Sequence, residues 1–477
     1  MKKLTAQQEV IKEELLFTNN NIFICASPGS GKSFTLEMLS KLIPKNKKVI
    51  FLAFAKAIKE ELEKRLPEHV ECATIHSKAY SVLRSNIRVN AKLSDIKKFI
   101  LAKKLLSKQK DIKNSYLFKL SDIVNLCQMN LVNNQSEIIA LCNIYGIDCN
   151  ETEAKDSFNL LQEVNKYDLS KKDGILDFTD MLYMAKLLVH EDKFPKYDYI
   201  LLDESQDISP LQRELILSLR KPSTRMISVG DDKQTIFSFQ GSNLSSFETL
   251  KNLPKTTQLP LSTTFRCAKN IVKESQKYFT DITAYEGNID GVVRNGNLLE
   301  AKDGDFVICR NNLPLIHAFI LLLKAGKKCS ILGNDLEKSL LNLLGEISDI
   351  KDINTLLDNK ILKLKEQNIS EPANHKSYVE LKEKCDILTI LCCEFGSVDK
   401  LKSSFKTMFS NNADSGIILM TIHKSKGLEA NRVFALNFDL LPSKYAITEL
   451  ELYQEKCLQF VCITRAKTEL VYCKIKI

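Results

Sequence analysis

Short apolar runs alternate along the chain with longer segments in which apolar residues recur at helical spacing. The runs in the first half include Ile22–Ile24, 48–54 and Tyr199–Leu202, and uninterrupted apolar runs of this length predict buried strands. The helical segments include 4–17, 34–43 and 56–65. Strands that alternate with helices predict an α/β fold with parallel sheets, in which ligands bind at the carboxyl ends of the strands.

Two regions break this alternation, because helical spacing alone continues through them. They are 85–175 and 336–414, and we interpret each as a mainly helical insertion; no strand pattern stands out in the first. The first insertion carries lysine pairs, among them Lys97-Lys98 and Lys103-Lys104. These lysines either contact phosphates or lie on a solvated helix face, and the charge pattern fits both interpretations equally well.

A glycine-rich loop joins the first strand to the helix that follows it. Its residues are Ala26, Ser27, Pro28, Gly29, Ser30, Gly31, Lys32 and Ser33. Small residues let backbone N–H groups surround a phosphate, and the helix N-terminus adds partial positive charge. Lys32 is expected to reach the β- and γ-phosphates, and Ser33 to offer its hydroxyl to Mg²⁺. The loop therefore predicts a nucleoside triphosphate site, although Ala26 replaces the usual first glycine.

Two carboxylates follow the apolar strand Tyr199–Leu202. Asp203 is expected to hold Mg²⁺, and Glu204 to position and deprotonate the attacking water. A lone pair of such residues is more often a solvated turn, but the preceding strand and the glycine loop favour the catalytic interpretation. A later strand, 225–230, leads to Gln234, which is placed to sense a γ-phosphate.

Further polar and aromatic residues follow the second and third strands, the third of which we expect over 70–77. They are Phe54, Lys56, Thr74, His76 and Ser77. Each residue alone has a structural explanation, but as a set they predict a surface for a phosphodiester backbone. Phe237 and Phe239, close behind Gln234, are expected to stack on bases, with a place in the core as the alternative.

Composition adds a bias towards polyanions and little more. The net charge is +9 over 477 residues, which fits a nucleic-acid partner but does not establish one. The 14 cysteines form no C-x-x-C pair and predict reduced thiols of an intracellular protein. The first residues lack the apolar core of a signal peptide, and no apolar run is long enough to span a bilayer. We therefore expect a soluble protein without a membrane partner.

Taken together, the ordered segments resemble superfamily 1 DNA helicases of the UvrD/Rep/PcrA type. Leu4–Gln8 resembles the Q-motif, Ala26–Ser33 motif I, Phe51–Lys56 motif Ia, Thr74–Ser77 motif Ib, Asp203–Gln206 motif II, Val229–Gly241 motif III, Phe265-Arg266 motif IV, Thr421–Glu429 motif V and Gln459–Ala466 motif VI. The matches cover the chain in order apart from the two insertions. Ala53-Phe54-Ala55-Lys56 is especially similar to motif Ia of the F-box DNA helicases.

The resemblance implies two RecA-like motor domains, each with a parallel sheet and a mainly helical insertion. The first motor would comprise 1–84 and 176–264, with 85–175 inserted, and the second 265–335 and 415–477, with 336–414 inserted. ATP and Mg²⁺ would bind between the motors, and DNA would stimulate hydrolysis. Single-stranded and forked DNA are the expected partners, with 3′→5′ movement by a monomer.

The resemblance also assigns roles to single residues. Arg266 and Arg465 would act as arginine fingers on the γ-phosphate, and Gln234 would sense it. Phe265 would stack on adenine, Gln8 would read its edge, and Glu429 would contact the ribose, with Gly427 in the same ATP-binding set. The DNA-binding set is Phe54, Lys56, Thr74, His76, Phe237, Phe239, Thr421 and His423. For Gln8, whose amide offers both a donor and an acceptor, a solvated helix position is the alternative.

Several departures from the family pattern and several alternatives accompany this interpretation. The chain has no tryptophan, so Phe239 takes a stacking position, Gln240 replaces an arginine, and Phe34 follows the loop in place of a basic residue. The second insertion is short for the family, which favours a single-strand translocase that unwinds weakly. A nucleic-acid-independent P-loop enzyme and a DNA-binding scaffold with an inactive motor are rivals from other classes. RNA is an alternative substrate.

Overall fold

The chain forms two compact units, Met1–Ser262 and Thr263–Ile477. In the computed structural model, the described residues are 4–86, 92–109, 112–145, 147–166, 175–191, 193–236, 244–345, 352–366, 372–374, 376–396, 400–401, 408–410 and 416–476. The predicted class, α/β with parallel sheets, is confirmed, since every strand pair in these segments is parallel.

The first unit places its helices on both faces of a sheet with strand order β3-β2-β6-β7-β1-β8. Its elements are α1 (Ala6–Phe17), β1 (Asn21–Ala26), α2 (Lys32–Ser40), β2 (Val49–Ala53), α3 (Lys56–Glu63), β3 (Val70–Thr74), α4 (Ile75–Asn86), β4 (Lys92–Leu93), α5 (Lys97–Leu105), α6 (Asn114–Asn130), α7 (Gln135–Ile144), α8 (Glu151–Asn165), β5 (Ile175–Leu176), α9 (Phe178–Leu187), β6 (Tyr197–Leu202), α10 (Pro210–Ser218), β7 (Arg220–Gly230), α11 (Leu244–Lys251) and β8 (Thr256–Leu261).

Alternate residues of the central strands belong to two different cores. In β2, Ile50 and Leu52 face the core shared with α4, α9 and α10, whereas Val49 and Phe51 face the core shared with α1 and α2. Strands buried on both faces read as continuous apolar runs, which is why the sequence pattern locates them. The inserted helices α5 to α8 have a separate core.

The second unit is built on a sheet with strand order β11-β17-β16-β12-β15-β13-β14. Its elements are β9 (Thr263–Thr264), α12 (Lys269–Ser275), β10 (Thr283–Ala284), β11 (Val292–Asn295), β12 (Phe306–Cys309), α13 (Asn312–Lys324), β13 (Cys329–Leu332), α14 (Asn334–Gly345), α15 (Asp352–Glu366), α16 (Lys376–Phe395), β14 (Phe409–Ser410), β15 (Ile417–Thr421), α17 (Ile422–Ser425), β16 (Ala430–Leu436), α18 (Glu449–Ile463) and β17 (Ala466–Cys473).

The structure corrects three expectations about these elements. The first insertion does contain strand, because β4 and β5 pair near its two ends. The third strand ends at Thr74, and the residues expected to end it, His76 and Ser77, lie in α4. Lys97 and Lys98 are buried, at 1% exposure each, so neither the phosphate-contact nor the solvated-face interpretation holds for this pair.

The second insertion has no core of its own in the described segments. Leu340 and Leu344 of α14, with Leu388 and Leu391 of α16, join the same hydrophobic cluster as Val307 of β12. The strand β14 falls within the predicted insertion but pairs with β13 at the edge of the sheet. These helices therefore extend the core of the second unit.

Candidate nucleotide site and nucleic-acid surfaces

The glycine-rich loop leaves β1 at Ala26 and ends where α2 begins at Lys32. Gly29 and Gly31 have φ of 68° and 85°, a backbone region that favours glycine because it has no Cβ. Ala26 is the last residue of β1 and pairs with Leu261 of β8, so its position needs no glycine. Ser27 donates its backbone N–H to the Leu261 carbonyl at 3.0 Å, which fixes the loop to the sheet.

Two side chains of the loop reach the carboxylates that follow β6. Lys32 Nζ lies 2.7 Å from Glu204 Oε2, and Ser33 Oγ donates to Asp203 Oδ2 at 2.9 Å. Glu204 has a φ of 50°, a conformation that is strained for a residue other than glycine and is characteristic of functional sites. The predicted catalytic residues of the first unit thus form one group.

Burial and neighbouring charges together shift the pKa values of this group. Burial lowers the pKa of Lys32, but the charges of Glu204, Asp231 and Asp203 outweigh it and raise that pKa overall. Burial, with the charge of Glu204, raises the pKa of Asp203 to about 6. Burial also raises the pKa of Asp231 to about 6, against the charge of Lys32. The lysine therefore stays charged, whereas burial disfavours the ionised forms of Asp203 and Asp231.

A chain of hydrogen bonds connects the carboxylates to the predicted γ-phosphate sensor. Gln206 donates to Glu204 Oε2 at 2.6 Å and accepts the Asp231 backbone N–H at 3.0 Å. Gln234 donates to Asp231 Oδ2 at 2.6 Å. A Cβ at Gly230 would lie 2.3 Å from Ser205 Oγ, so glycine is needed for this close approach. Our sequence reasoning gave Gln206 and Asp231 no role, although both follow strands next to assigned residues.

Ser33 and Asp203 are the residues of this site that fit Mg²⁺. Both offer oxygen ligands, which hard divalent cations prefer, and their oxygens already lie within hydrogen-bond distance. Asp203 is held in place because its Oδ1 accepts the Glu204 backbone N–H at 2.9 Å. The donor set is therefore chemically suitable for the ion.

Gln8 is buried beside the loop and is not a solvated helix residue. Its Oε1 accepts the Thr5 backbone N–H at 3.0 Å, closing a capping box at the start of α1. Its Nε2 donates to Thr35 Oγ1 at 3.2 Å and lies 3.7 Å from the position that a Cβ on Gly31 would take. The solvated alternative is wrong, and contact with a nucleobase stays a prediction.

In the second unit, the predicted nucleotide contacts are joined by ion pairs. Arg266 pairs with Glu429, which also lies 2.7 Å from Lys467 Nζ. Burial raises the pKa of Glu429, but the hydrogen bond from Lys467 and the charge of Arg266 outweigh it and lower that pKa overall. Gly427, two residues before Glu429, has a φ of 83° and open space where a Cβ would lie.

Arg465 is almost fully buried, at 1% exposure. Its Nε donates to the Val461 carbonyl at 3.1 Å and its Nη1 to the Leu428 carbonyl at 3.2 Å. Arg465 thereby connects α18 to the turn that carries Glu429. A role of Arg465 on a phosphate stays a prediction.

Phe265 is half exposed and contacts a second aromatic ring that sequence reasoning missed. The Tyr285 ring lies 5.0 Å from it at an interplanar angle of 41°. The strand pair β9–β10 brings the two rings together, and the Tyr285 backbone N–H donates to the Thr264 carbonyl at 3.0 Å. No sequence signal indicated this pairing, because both strands are two residues long.

The predicted nucleic-acid residues of the first unit lie at and beyond the carboxyl ends of β2 and β3. Phe54 is 44% exposed, Lys56 is exposed and lies 3.6 Å from Glu60, and Thr74 hydrogen-bonds Ser77. His76 makes an edge-to-face contact at 5.9 Å with another ring that sequence reasoning missed, Phe178. Phe178 follows the N-cap Asp177, in the Asp177-Phe-x-Asp180 segment that is also part of the resemblance.

In the second unit, Thr421 caps α17 by accepting the Lys424 backbone N–H. Burial lowers the pKa of His423 to about 3, and the charge of Arg310 adds to this shift, so the imidazole is neutral near pH 7. Phe237, Phe239 and Gln240 lie outside the described residues. Among the helices that the structure describes, none has the length and apolar character needed to cross a bilayer.

The parallel sheet, the glycine loop and the Lys32–Glu204 and Ser33–Asp203 contacts define a P-loop protein of the α/β class. Residues 5–255 match the UvrD/REP helicase N-terminal domain. This match covers more than half of the chain, and the protein therefore belongs to the UvrD/Rep helicase family.

Individual relatives resemble the chain over different extents. F-box DNA helicase protein 1 of Schizosaccharomyces pombe is 27% identical over 534 residues, covering 98% of this chain and 57% of the relative. The ATP-dependent DNA helicase Rep of Buchnera aphidicola subsp. Acyrthosiphon pisum is 26% identical, covering 61% and 48%. F-box DNA helicase 1 of Gallus gallus is 23% identical, covering 90% and 44%. The chain thus spans about half the length of these curated relatives.

Proposed function

We propose that the protein is an ATP-dependent DNA helicase that moves 3′→5′ on single-stranded DNA, unwinds forked duplexes, and acts as a monomer in DNA repair, recombination or replication. One observation carries the proposal. Lys32 and Ser33 of the glycine loop contact Glu204 and Asp203 at 2.7 and 2.9 Å, and this group contains the side chains that γ-phosphate hydrolysis needs. Family membership supports DNA as the polymer on which that hydrolysis acts.

Hydrolysis begins with a change of partner for Lys32. Lys32 pairs with Glu204 in the structure, and a γ-phosphate would compete for the same ammonium group. Glu204 is then free to accept a proton from the attacking water, while Gln206 holds its carboxylate in place. Mg²⁺ bound at Ser33 and Asp203 would neutralise charge on the phosphates.

The arginines and the sensor act on the charge that develops during phosphoryl transfer. Arg266 and Arg465 would stabilise the γ-phosphate, and Gln234 would report its presence through Asp231. Phe265, Gln8 and Glu429 would hold the nucleoside. The Arg266–Glu429 pair supports this assignment, because it keeps a sugar contact and a phosphate contact in fixed relation.

Single-stranded DNA would lie on the strand-end surfaces of both units. In the first unit, Phe54, His76 and Phe178 offer aromatic faces on which bases can stack, an interaction of about 1–3 kcal/mol per base. In the second unit, Thr421 and neutral His423 offer a hydroxyl and an imidazole. Phe237 and Phe239 remain proposed members of this surface.

Strand displacement on tailed duplexes tests the proposal. A duplex with a 3′ single-stranded tail should be unwound with ATP and Mg²⁺, whereas a duplex with a 5′ tail should not. Unwinding of the 5′-tailed duplex alone would overturn the polarity. If neither duplex is unwound but DNA still stimulates ATP hydrolysis, the result would support a DNA-dependent motor and contradict the helicase activity.

A weakly unwinding single-strand translocase is a second candidate. The observation that favours it is the packing of α14 and α16 into the core of the second unit, which leaves the described part of that insertion without a separate module for contacting a duplex. A protein bound to single-stranded DNA and a forked duplex of equal length distinguish the candidates. The translocase removes the protein rapidly and opens the fork slowly.

A further inference from the structure

Two adjacent lysines at the start of α5 are buried against two aspartates at the start of α9. Lys97 Nζ lies 2.6 Å from Asp180 Oδ2. Lys98 Nζ lies 2.5 Å from Asp177 Oδ2 and 3.4 Å from Asp180 Oδ1. The side chain of Gln128 from α6 also donates to Asp180 Oδ1, at 3.2 Å. The two positive and two negative charges balance within one cluster.

The cluster is buried to a degree that is unusual for charged side chains. The exposed fractions are 1% for each lysine, 5% for Asp177 and 0% for Asp180. Burial lowers the pKa of Lys97, and the charge of Asp180 opposes that change. Ions removed from water are tolerated only with good geometry and further hydrogen bonds, so the position of each member is tightly constrained by the others.

The cluster joins the inserted helices to the sheet of the first unit. Gln128 also donates to Asn165 of α8 at 3.3 Å, so α5, α6 and α8 are all connected to the start of α9. On its other side, α9 packs into the core beneath the sheet through Leu182 and Ala185. The ion pairs thus lie where the insertion meets the helix that follows it in sequence.

Phe178 lies between the two aspartates in the sequence, and its ring is half exposed. Asp177 accepts the Asp180 backbone N–H at 2.8 Å through one oxygen while the other binds Lys98. Asp177 and Asp180, at the two ends of the first turn of α9, are therefore held in position by side chains of the insertion. The ring of Phe178 contacts His76 on the proposed strand-binding surface.

We propose that Lys97, Lys98, Asp177 and Asp180 form an ion-pair latch that holds the Phe178 ring in position to stack on single-stranded DNA and so connects the insertion to the strand-binding surface. The inference rests on the proposed function. The four residues are positioning residues, since Phe178 and not the latch meets the base.

The first test compares Lys98→Met with Lys104→Met, a change on the same helix at an exposed lysine. Affinity for a fluorescent single-stranded oligonucleotide should fall about tenfold in Lys98→Met, the effect of losing one stacked base, with ATP hydrolysis in the absence of DNA unchanged within about twofold. The salt dependence of binding should keep its slope, because no phosphate contact is lost, whereas a phosphate-binding lysine lowers that slope by about one. A reduced slope in Lys98→Met, or wild-type affinity, overturns the latch.

A double-mutant cycle separates positioning from general stability. Phe178→Leu should weaken DNA binding by the same factor, and adding Lys98→Met should cost less than about twofold more, since the ring that the latch positions is already absent. If the two losses of affinity multiply in the double variant, the proposal is overturned.

A second variant covers the case in which Lys98→Met does not fold. Lys98→Met/Asp177→Asn removes two opposite charges together and keeps a residue that can cap the helix. Wild-type affinity for DNA in this variant would likewise contradict the latch. If the wild-type protein binds no single-stranded DNA, the proposed function fails and the latch fails with it.

Discussion

The phosphate-binding group of the first unit and the arginine group of the second unit are held together by different means. Lys32, Asp203 and Gln234 follow strands of one parallel sheet, and a continuous set of partly or fully buried hydrogen bonds joins them. Arg266 is instead held by Glu429, which Lys467 also contacts, with these side chains about half exposed or less. The first group is organised by the sheet, and the second by charge pairing.

This difference indicates how each group should respond to change. A neutral substitution in the first group leaves the backbone scaffold in place, even where it also frees a partner charge, as Glu204→Gln frees Lys32. A substitution in the second group releases a partner charge, because Glu429 and Arg266 depend on each other.

The largest expected effect is on the chemical step. Glu204→Gln should lower the rate of ATP hydrolysis about 10³-fold, the loss expected for a general base. Nucleotide should bind at least as tightly as in the wild type, because glutamine cannot hold Lys32 by charge. Single-turnover hydrolysis and titration with a fluorescent ATP analogue measure the two effects, with Glu214→Gln as the control on α10. Near-normal hydrolysis would remove Glu204 from the mechanism.

Loss of an arginine should have the next largest effect. Arg266→Ala should slow hydrolysis about 10²-fold, since one donor to the developing charge is lost. The matched control is Arg294→Ala, which removes an arginine of the same unit that pairs with Glu300 and Glu469 and should change the rate less than about twofold. Equal losses in the two variants would show that Arg266 acts only on stability.

Tyr285 should affect binding and not chemistry. Tyr285→Leu removes the ring that contacts Phe265 and should raise KM for ATP about fivefold, the value of an aromatic pair, with kcat nearly unchanged. Tyr285→Phe keeps the ring and should behave as the wild type. Steady-state kinetics at fixed DNA concentration measure both constants, and a fall in kcat alone would contradict the assignment.

The remaining prediction concerns the free energy of unfolding at acid pH and not the reaction. Because the pKa of His423 is lowered to about 3 in the folded protein, its neutral form contributes stability that is present above the ordinary histidine pKa and is lost as pH falls below it. The wild type should therefore lose up to about 1.4 kcal/mol of unfolding free energy per pH unit more than His423→Asn between pH 6 and pH 4. Urea denaturation across this range tests it, and parallel pH profiles would mean that His423 titrates normally.

The site residues at the ends of strands could be predicted from the sequence, because each follows an apolar run that forms a strand of a parallel sheet. Lys32, Ser33, Asp203 and Glu204 form one group in the structure for that reason. Gln8 is buried beside the loop as a site residue should be, although its amide also caps α1. The α/β class followed from the same alternation of strands and helices.

Other features depend on contacts between residues that the sequence pattern does not relate. Lys98 is 79 positions from Asp177, and a lysine pair on a helix is normally solvated, so its burial was not predictable. The Tyr285–Phe265 contact depends on two very short strands. The burial of Arg465 depends on carbonyl groups of Val461 and Leu428, which carry no side-chain signal.

The most direct test of the central claim is the rate of ATP hydrolysis measured with single-stranded DNA, with single-stranded RNA and without nucleic acid. The account predicts that DNA raises the rate several-fold and that Lys32→Ala abolishes it. The control Lys41→Ala, at the other end of the same loop-following helix, should retain it. Equal rates with and without nucleic acid would contradict the account and favour a nucleic-acid-independent P-loop enzyme.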